Sequence, residues 1–537
     1  MIRTKWLTAL CATVCMATAI SGMTPGVAAT LRYGGTTPPL TMDPHVTNDF
    51  VTTALVRQIH DTIVDLQDDM QIGPGIATAW TYQGNNTWRF KIREGVKFQD
   101  GTPLSVDDII FSIMRQKGSP LYTALFGGIK EAVKVDDTSV DVISNGPDPI
   151  LPRKMVRLFV MSQAWAKANN VEKLPDLGAQ GTEAYSLRHA NGTGPMQLVS
   201  QDPGRKTVFA RNANYWGPFP GNVTEAIYTP IGSSPTRVAA LLSGELDLIT
   251  DLPIQDIERV KSTPGFHIEQ VPQQLSMFLE MDGTRDVALD VFDKSGKPLQ
   301  ANPLKDVRVR KALSLAIDSK LIVQRVMRGQ AVPLSVGGAY GMDGFQKDLD
   351  TGRPYDVEQA KKLLAEAGYP DGFAIQLNCP LERYTNADEI CRAVASMLAR
   401  VGVEVRVKGM VWPEFARMLV NGPSSSFHLI GGSGNSGDLQ DTFVSIMATR
   451  DKAKGRGGTN WAMWTNPEFD AVVDELVTTF DPAKRTELYR KGLTIARDQV
   501  QGIYLFQPVL SWGMKDSVSA SARADAAVML QKVQIKP

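Results

Sequence analysis

The sequence has 537 residues, of which 43% are apolar and 21% are charged, with 57 basic and 57 acidic side chains. A chain of this length exceeds what one hydrophobic core supports, so two or three domains are expected. Because the charges balance and no basic stretch stands out, the chain lacks the positive field that holds a phosphate backbone. Nucleic acid is not expected as a partner.

The first 29 residues have the pattern of a secretory signal peptide. Arg3 and Lys5 form a positive amino-terminal region, residues 6–20 are uncharged and largely apolar, and Val27–Ala29 is a small-residue cleavage site. A membrane anchor is the alternative, but a span requires about 20 apolar residues, which is more than this stretch has. Cleavage near Ala29 predicts an exported mature protein with a net charge of −2.

The amino-terminal part of the mature chain predicts a mixture of short strands and helices. Leu31–Gly35 has the pattern of a first strand, and Asp49–His60 has the apolar spacing of a helix that packs by one face. Apolar and polar residues alternate on both sides of Gly84–Asn86, which predicts a β-hairpin. Ser105, followed by Asp108, predicts a capping box at the start of the next helix.

Strand and helix signals alternate again after residue 205, following a loop-rich stretch that starts near residue 120. This alternation predicts two α/β lobes joined in one chain, with a cleft between them as the natural ligand site. The predicted strands are Thr207–Ala210, Ala226–Thr229, Leu246–Ile249, Phe373–Leu377 and Val403–Val407, and the predicted helices are Pro235–Ser243, Val307–Met327, Val357–Glu366 and Ala387–Arg400, with further helices capped at Asn466-Pro467 and Asp481-Pro482.

Two cysteines remain after removal of the predicted signal peptide. Cys379 follows a predicted strand and Cys391 lies in the next predicted helix, so both belong to one local unit. An oxidising compartment allows such a pair to form a disulfide, which we predict here. Two buried free thiols are the alternative, and no metal site is expected because no histidine lies near either cysteine.

The stretch 427–450 predicts a short strand, a glycine-rich turn and a helix that begins near Asp438. Such a turn brings unpaired backbone N–H groups to the mouth of an α/β sheet, where ligands bind. Gly432, Gly434 and Gly437 match the G-x-G-x-x-G fingerprint of dinucleotide-binding proteins, but no strand ending in an acidic residue follows about twenty residues later to bind a ribose. A flexible turn and a solute-binding loop are the other interpretations, and the rest of the chain favours the solute-binding loop.

None of the common motifs for catalytic or metal chemistry occurs in the sequence. Its five histidines are scattered, and it lacks H-E-x-x-H, paired-cysteine zinc spacing, a G-x-S-x-G elbow and a Walker lysine. We therefore expect neither an enzyme nor a resident metal or cofactor.

Seven short segments are spread over nearly the whole mature chain. Each is a weak signal alone, but their order and spacing together form a recognisable pattern. They are residues 93–102 (REGVKFQDGT) with 106–108 (VDD), 192–195 (GTGP), 211–216 (RNANYW), 237–247 (RVAALLSGELD), 307–313 (VRVRKAL) with 316–318 (AID), 360–370 (AKKLLAEAGYP), and 466–467 (NP) with Asp470. In this order and spacing the chain resembles the extracytoplasmic solute-binding proteins of ABC transporters, family 5, which includes dipeptide-, oligopeptide- and nickel-binding proteins.

The resemblance implies an α/β, two-lobed periplasmic binding protein of type II, in the large cluster C form, whose lobes close on a solute like a hinged trap. An extra subdomain is inserted in the first lobe. The implied division is a signal peptide at 1–29, lobe I at 30–70, 205–269 and 506–537, the inserted subdomain at 71–204, and lobe II at 270–505, with hinge segments near Gln270–Leu275 and Ile503–Val509.

The resemblance also places the glycine turn in the binding site. Peptide-binding members carry an aromatic ring in this loop and, three residues later, an aspartate that pairs with the amino group of the peptide. The alignment puts Gly432 and Asn435 at these two positions, with Ser433 between them. An asparagine accepts a hydrogen bond from an ammonium but forms no ion pair, and charge-assisted bonds are roughly twice as strong as neutral ones. Asp438 either substitutes for the missing aspartate or only caps the helix.

Other candidate ligand contacts follow from the same alignment. Trp412 matches an aromatic position that lines the site in peptide binders, with core packing as the alternative. The remaining candidates are Thr36, Thr37, Arg383, Tyr384 and Trp512. The two threonines leave the first strand. Arg383 and Tyr384 lie in a loop between a strand and a helix, where they either engage a carboxylate or, for Arg383, remain a free surface arginine. Trp512 is either a stacking platform or a core residue.

We therefore predict a monomeric periplasmic receptor that delivers a short peptide or peptide-like amino compound to an ABC permease in the inner membrane. A non-peptide solute is the first alternative, since the family also takes opines, glutathione, oligosaccharides and metal chelates. An exported enzyme using the same cleft is the remote alternative.

Overall fold

The structure is a computed structural model, and it describes residues 29–176, 183–420, 425–434 and 436–536. Almost all of the predicted signal peptide lies outside these residues. The strands are β1 (Ala29–Gly35), β2 (Val64–Leu66), β3 (Ile72–Pro74), β4 (Ala77–Gly84), β5 (Thr87–Ile92), β6 (Ile129–Asp136), β7 (Ser139–Ser144), β8 (Met196–Asp202), β9 (Lys206–Arg211), β10 (Val223–Pro230), β11 (Leu248–Ile249), β12 (Phe266–Pro272), β13 (Ser276–Met281), β14 (Val291–Phe292), β15 (Ala331–Pro333), β16 (Ala374–Leu381), β17 (Glu404–Val411), β18 (Phe427–Gly432), β19 (Gly502–Lys515), β20 (Val518–Ser519) and β21 (Gln534–Ile535).

The helices alternate with these strands in the second half of the chain. They are α1 (Phe50–Val56), α2 (Val106–Lys117), α3 (Thr123–Phe126), α4 (Leu151–Lys154), α5 (Gln163–Ala168), α6 (Ser234–Leu242), α7 (Ile257–Ser262), α8 (Val307–Ala316), α9 (Ser319–Leu321), α10 (Val357–Glu366), α11 (Ala387–Ala399), α12 (Trp412–Val420), α13 (Leu439–Thr442), α14 (Pro467–Leu476) and α15 (Pro482–Asp498).

The first lobe, which we call lobe I, is built on strands in the order β8, β9, β10, β1, β11 and β19, with β12 along the other side of β19. Strand β1 runs parallel to both β10 and β11, so the carboxyl ends of these three strands meet at one edge of the sheet. Buried apolar side chains from these strands form the core of the lobe, among them Leu31, Tyr33, Phe209, Leu248 and Trp512.

A separate four-stranded antiparallel sheet, in the order β4, β5, β7 and β6, packs with α2 around its own core. Strands β4 and β5 form the predicted hairpin. The predicted capping box is also confirmed, because Ser105 accepts a hydrogen bond from the Asp108 N–H and the Asp108 carboxylate accepts one from the Ser105 N–H. The subdomain that we propose at 71–204 contains this sheet, whereas β8 at its end pairs with β9 in lobe I.

The second lobe, lobe II, is built on strands β16, β18, β13 and β19, with β17 along the outer side of β16 and β15 on β19. Strand β16 runs parallel to β17 and β18, so their carboxyl ends share one edge. Helices cover both faces of this sheet, and two large apolar clusters fill the space on either side of it. The predicted α/β alternation after residue 205 is confirmed.

The chain passes between the lobes at two places. Residues 273–275 join β12 of lobe I to β13 of lobe II, and the long strand β19 pairs with β13 at its start and with β12 at its end. Gln507 lies between these two pairing regions and donates from its side chain to the Gln273 and Tyr340 carbonyls at 2.8 and 3.1 Å. These crossings lie in the segments that the resemblance implies as the hinge.

Two predicted helices are shorter than their sequence patterns suggest. Helix α1 ends at Val56 because the carbonyls of Gln58 and Ile59 accept hydrogen bonds from Met196 and Gly194 at 2.8 Å, instead of continuing the helix. The predicted helix 307–327 is broken after α8, because the carboxylate of Asp318 accepts from the Leu321 N–H and starts a new turn. Aspartate favours such capping over a helix interior.

Candidate ligand-binding cleft

The two carboxyl edges face each other across the hinge. In lobe II, Gly432 at the end of β18 pairs with Ser276 at the start of β13, directly after the first crossing. In lobe I, Ile249 at the end of β11 pairs with Gly513 of β19, shortly after the second crossing. Because both edges adjoin the same hinge, the loops that leave them line one cleft. Ligands of open α/β sheets bind at such edges.

Three side chains form a cluster on the lobe II wall, which we call the aromatic cluster: Arg383, Tyr384 and Trp412. Arg383 and Tyr384 follow β16, and Trp412 follows β17. The Arg383 guanidinium lies 4.7 Å from the centre of the Trp412 ring, and the Tyr384 hydroxyl donates to the Gly431 carbonyl of β18 at 3.2 Å. The Tyr384 and Trp412 rings meet edge to face with centroids 6.5 Å apart. The structure thus brings together residues that are separate in sequence.

Arg383 is exposed and forms no ion pair with any carboxylate of the described residues. A guanidinium over a tryptophan face keeps its outer N–H groups available, and these match a carboxylate with two parallel hydrogen bonds. Arg383 therefore offers a pre-positioned cation at the edge where a ligand enters.

The loop that carries Arg383 is held at both ends. Glu382 and Asn386 have left-handed backbone angles, with φ of 63° and 55°, which residues other than glycine adopt only when their surroundings impose it. The Asn386 side chain donates to the Val326 carbonyl at 2.9 Å. Cys379 in β16 and Cys391 in α11 are joined by a disulfide, so a covalent link closes the base of this loop.

The glycine turn after β18 is tied to the hinge. The Ser433 hydroxyl donates to the Gln274 carbonyl at 2.5 Å, and the Thr442 hydroxyl donates to the Ser433 carbonyl at 2.7 Å. Gly432 accepts through its carbonyl from the Ser276 hydroxyl at 3.1 Å. Ser433 is thus occupied by contacts within the protein, and Asn435 lies outside the described residues.

Asp438 caps helix α13. Its Oδ1 atom accepts from the Gln440 N–H at 2.7 Å and from the Tyr489 hydroxyl at 2.6 Å, and the Arg485 guanidinium lies 3.6 Å away. The residue is buried, and this desolvation raises the pKa of its carboxyl group. Of the two roles predicted for Asp438, the structure therefore shows the cap.

The lobe I wall is formed by the chain after β1 and β11. Thr36 is partly buried and Thr37 is exposed, and the Thr37 carbonyl accepts from the Tyr228 hydroxyl at 2.7 Å. Asp251 lies at the same edge, two residues beyond β11. Its side chain reaches solvent, yet desolvation by the surrounding protein raises its pKa. Sequence analysis missed Asp251, although it follows a predicted strand.

The interpretation of Trp512 as a stacking platform for the ligand is wrong. Its side chain is completely buried, and it packs in the apolar core of lobe I beside Leu31, Tyr33 and Leu248. Position 512 faces this core because side chains of β19 alternate between the two sides of the sheet. The core-packing alternative is the correct one.

An ion pair and aromatic packing connect the four-stranded sheet region to lobe II. Arg153 of α4 forms an ion pair with Asp343, with Nη1 and Oδ2 2.7 Å apart, and the ring of Tyr82 in β4 stacks on Phe480 with centroids 4.1 Å apart. No sequence motif signals either contact, since the partners are far apart in the chain. Together they connect the two sides of the cleft away from the hinge.

Within the described parts of the chain, no helix is both long and apolar enough to cross a membrane. No group of three or more histidine, cysteine, aspartate or glutamate side chains among the same residues is arranged to hold a metal ion.

Comparison with known proteins identifies relatives over most of the chain. The Escherichia coli (strain K12) dipeptide-binding protein is 26% identical over 474 residues, covering 82% of each chain. Heme-binding protein A of Haemophilus influenzae is 26% identical over 473 residues, covering 83% of this chain and 81% of the relative.

Solved structures show the same fold. A periplasmic binding protein of Helicobacter pylori in complex with the peptide STSA has a TM-score of 0.74 at 19% identity, covering 95% of this chain and 98% of its own. A binding protein from A. tumefaciens R10 in complex with agropinic acid has a TM-score of 0.74 at 21% identity, covering 95% and 99%. The predicted two-lobed fold is confirmed.

The family itself is shown by a model described as bacterial extracellular solute-binding proteins, family 5 (middle), which matches residues 71–482. This match includes the aromatic cluster, the glycine turn and most of lobe II. The chain belongs to the bacterial extracellular solute-binding proteins of family 5.

Proposed function

We propose that this protein is a periplasmic receptor of an ABC importer that binds a short peptide or peptide-like amino compound in the cleft and delivers it to the membrane permease. The observation that carries the proposal is the exposed guanidinium of Arg383, positioned over Trp412 at the lobe II edge without an ion-pair partner among the described residues. Relatives of the chain include a dipeptide-binding protein and a structure with a bound peptide.

The ligand carboxylate pairs with Arg383 in this proposal. Its apolar part packs against the partly buried Trp412, and the backbone of the glycine turn and of Thr36–Thr37 supplies hydrogen bonds to the peptide units. An aromatic platform and a bidentate cation are a common basis of small-molecule recognition. Tyr384 positions the loop through its bond to Gly431.

The amino group of the ligand needs a different partner from the aspartate of the peptide-binding relatives. Asn435 is uncharged, and Asp438 is occupied by Gln440 and Tyr489. Asp251 on the lobe I wall is the candidate that we assign, because it is a solvent-reached carboxylate at the opposite edge of the cleft. A ligand held by Arg383 and Asp251 would connect the two lobes.

Such a ligand favours the closed arrangement of the lobes, because it contacts both walls only when they approach each other. The Arg153–Asp343 ion pair adds a direct connection between the two sides. In this proposal the receptor acts as a monomer, and the closed form is what the permease recognises.

A second candidate ligand class is a carboxylate that lacks a primary ammonium, such as an opine. The occupation of Asp438 by helix capping favours it, since this carboxylate is then not available to an ammonium while Arg383 still offers a cation. A structural neighbour with bound agropinic acid shows that the fold accommodates such a compound.

A thermal-shift screen of the mature protein, freed of ligand by unfolding and refolding, tests the proposal. The panel holds di- and tripeptides, their N-acetylated and C-amidated forms, glutathione, opines, oligosaccharides and nickel chelates. A ligand at about a hundred times its dissociation constant adds about 2.7 kcal/mol to the free energy of unfolding and raises the melting temperature by a few degrees.

The peptide proposal is supported if free peptides stabilise the protein and neither the N-acetylated nor the C-amidated peptides do. Stabilisation by opines alone supports the second candidate, and a response to sugars or chelates alone contradicts both. Chromatography of each responding ligand after incubation with the protein tests the remote enzyme alternative, since a receptor returns its ligand unchanged.

A further inference from the structure

Lobe II contains a second cavity, outside the cleft. Its volume is about 420 Å³, which falls within the roughly 300–1,000 Å³ of small-molecule sites. It lies between α8, α10 and the end of α15, beneath the edge of the sheet at the start of β19. None of its lining residues belongs to the aromatic cluster or the glycine turn, and one of them, Tyr504, lies in the hinge segment 503–509. The cavity is therefore separate from the proposed ligand site.

The lining combines an apolar wall with basic side chains. Leu315, Val336, Leu363 and Val500 supply the apolar surface, and Arg353 is part of the same wall. A site of this composition suits a molecule with an apolar body and a single polar group.

Arg353 has no counter-ion within 4 Å among the described residues. Its Nη1 atom donates to the Tyr504 carbonyl at 2.9 Å and its Nη2 atom to the Ile317 carbonyl at 3.4 Å. Its Nε atom is buried and has no hydrogen-bond partner. A guanidinium has five N–H donors, so most of them are unused here. Burial lowers the pKa of Arg353 to about 10, which leaves it charged at neutral pH.

Arg310, a buried arginine of the same lobe, is bonded differently. Arg310 donates to four carbonyls, those of Leu304, Lys305, Gln499 and Val500, at 2.7–3.3 Å. Its charge is compensated by a ring of backbone dipoles. Arg353 has two such bonds and a cavity beside it. The Arg353 side chain is partly buried and its buried Nε lacks an acceptor, which an anion in the cavity would supply.

The charges around the cavity also favour an anion. Lys311 and Arg497 line it together with a single acidic side chain, Asp498, which is already bonded to Arg497 at 3.0 Å. The local charge, with Arg353 included, is positive. A neutral or cationic molecule gains nothing from this arrangement.

We propose that this cavity is a second binding site, for a small organic anion whose carboxylate or sulfonate pairs with Arg353 and whose apolar body packs against Leu315, Leu363 and Val500. The site is independent of the ligand in the cleft, so it stands whether or not the proposed function is correct.

Two fluorescent probes of nearly the same shape test the proposal on the full mature protein. 8-Anilinonaphthalene-1-sulfonate carries an anionic group, and N-phenyl-1-naphthylamine lacks it. The wild-type protein is expected to bind the sulfonate at one saturable site. Arg353→Met should weaken sulfonate binding by about tenfold or more, as expected for a lost charged hydrogen bond, and should leave binding of the neutral probe unchanged.

Matched variants separate this result from a folding defect or from binding in the cleft. Arg353→Lys keeps the charge and should retain part of the sulfonate affinity, whereas Leu363→Trp fills the cavity and should abolish binding of both probes. Arg392→Met, on the exposed face of α11, and Trp412→Ala, in the cleft, should bind like the wild type. Each variant is compared only after its melting temperature shows that it is folded.

The proposal is overturned if folded Arg353→Met and Leu363→Trp bind the sulfonate as tightly as the wild type does. It is also overturned if Trp412→Ala is the variant that loses binding, because the probe then occupies the cleft.

Discussion

The aromatic cluster and the start of helix α13 lie at the same edge of lobe II, and they use their charged residues in opposite ways. Arg383 is exposed over Trp412 and has no ion-pair partner among the described residues. Asp438 is buried and bonded to Gln440 and Tyr489. One charge is available to a ligand, and the other is part of the architecture. Position at a ligand-binding edge is thus not sufficient to make a charged residue a ligand contact.

The difference arises from the hydrogen-bond partners that each side chain has within the protein. A helix start leaves backbone N–H groups that need acceptors, and Asp438 supplies one. Asp438 is buried, and a buried carboxylate without partners costs free energy. The Tyr489 hydroxyl and the Arg485 guanidinium supply those partners. Arg383 remains in solvent, where its N–H groups donate hydrogen bonds to water. A bound ligand replaces these water molecules. The predictions below test this contrast.

Removal of the disulfide should have the largest effect. In Cys379→Ala/Cys391→Ala the free energy of unfolding should fall by about 3 kcal/mol, the value for a loop of this size. The loop that carries Arg383 is then no longer closed at its base, so ligand affinity should also fall. Chemical denaturation and calorimetry with the ligand from the screen measure both effects. Unchanged affinity would show that Glu382 and Asn386 alone hold the loop.

Arg383→Gln should weaken binding of a carboxylate ligand by about 1.5–3 kcal/mol, which corresponds to a lost charged hydrogen bond. The free energy of unfolding should change little, since the residue is exposed. Calorimetry with a free and a C-amidated ligand checks the assignment, because the amidated ligand should bind both proteins equally.

Arg450→Gln is the matched control for this substitution. Arg450 is also exposed, and its guanidinium lies 5.6 Å from the ring centre of Trp461 in the same lobe. Its loss should leave ligand affinity unchanged. Equal losses in the two variants would indicate a general effect of surface charge on binding.

Asp438→Ala should lower the free energy of unfolding by about 1–2 kcal/mol, because it removes a helix cap and the acceptor of the Tyr489 hydroxyl. Asp438→Asn keeps an acceptor oxygen and should be milder. Neither substitution should change the affinity for free peptides relative to N-acetylated ones. A selective loss of free-peptide binding in Asp438→Asn would show that this carboxylate binds the amino group after all.

The pH dependence of stability should differ between the wild type and Asp438→Asn. The folded-state pKa of Asp438 is raised by burial, so the folded protein holds this proton more tightly than the unfolded chain. The resulting stabilisation is complete below the ordinary aspartate pKa and is lost as the pH rises through the folded-state value. Urea titrations from about pH 3.5 to pH 7 should show this component in the wild type only; identical profiles would contradict the assignment.

Asp251→Asn should have the smallest and most selective effect. It should weaken the binding of free peptides by up to about tenfold and leave the binding of N-acetylated peptides unchanged, since only an ammonium loses an ion pair. If both forms bind as before, the amino group is recognised elsewhere, and the opine candidate gains support.

Several site features are visible in sequence because they depend on neighbouring residues. The turn after β18, the cap at Asp438 and the capping box at Ser105 each rest on residues a few positions apart. The disulfide was proposed because its cysteines lie in one strand–helix unit. The family pattern added which loops to compare, and the structure places Arg383, Tyr384 and Trp412 in contact with one another.

Other features depend on residues that only the fold brings together. The burial of Trp512 results from packing against Leu31 and Leu248, and the Arg153–Asp343 pair joins residues of different lobes. Asp438 and Tyr489 are 51 positions apart in the chain. No sequence signal therefore predicts the hydrogen bond from the Tyr489 hydroxyl to the Asp438 carboxylate. The same holds for the missing counter-ion of Arg353, which is a property of its whole surroundings.

The sequence by itself determined the alternation of strands and helices and the local caps, because these arise from periodicity and short-range hydrogen bonding. It also indicated the family, through the resemblance carried by seven short segments. Only the tertiary structure decided which charged residues are free. Whether a guanidinium or carboxylate is available depends on its burial and on every acceptor or donor within reach, and those are set by contacts between distant parts of the chain.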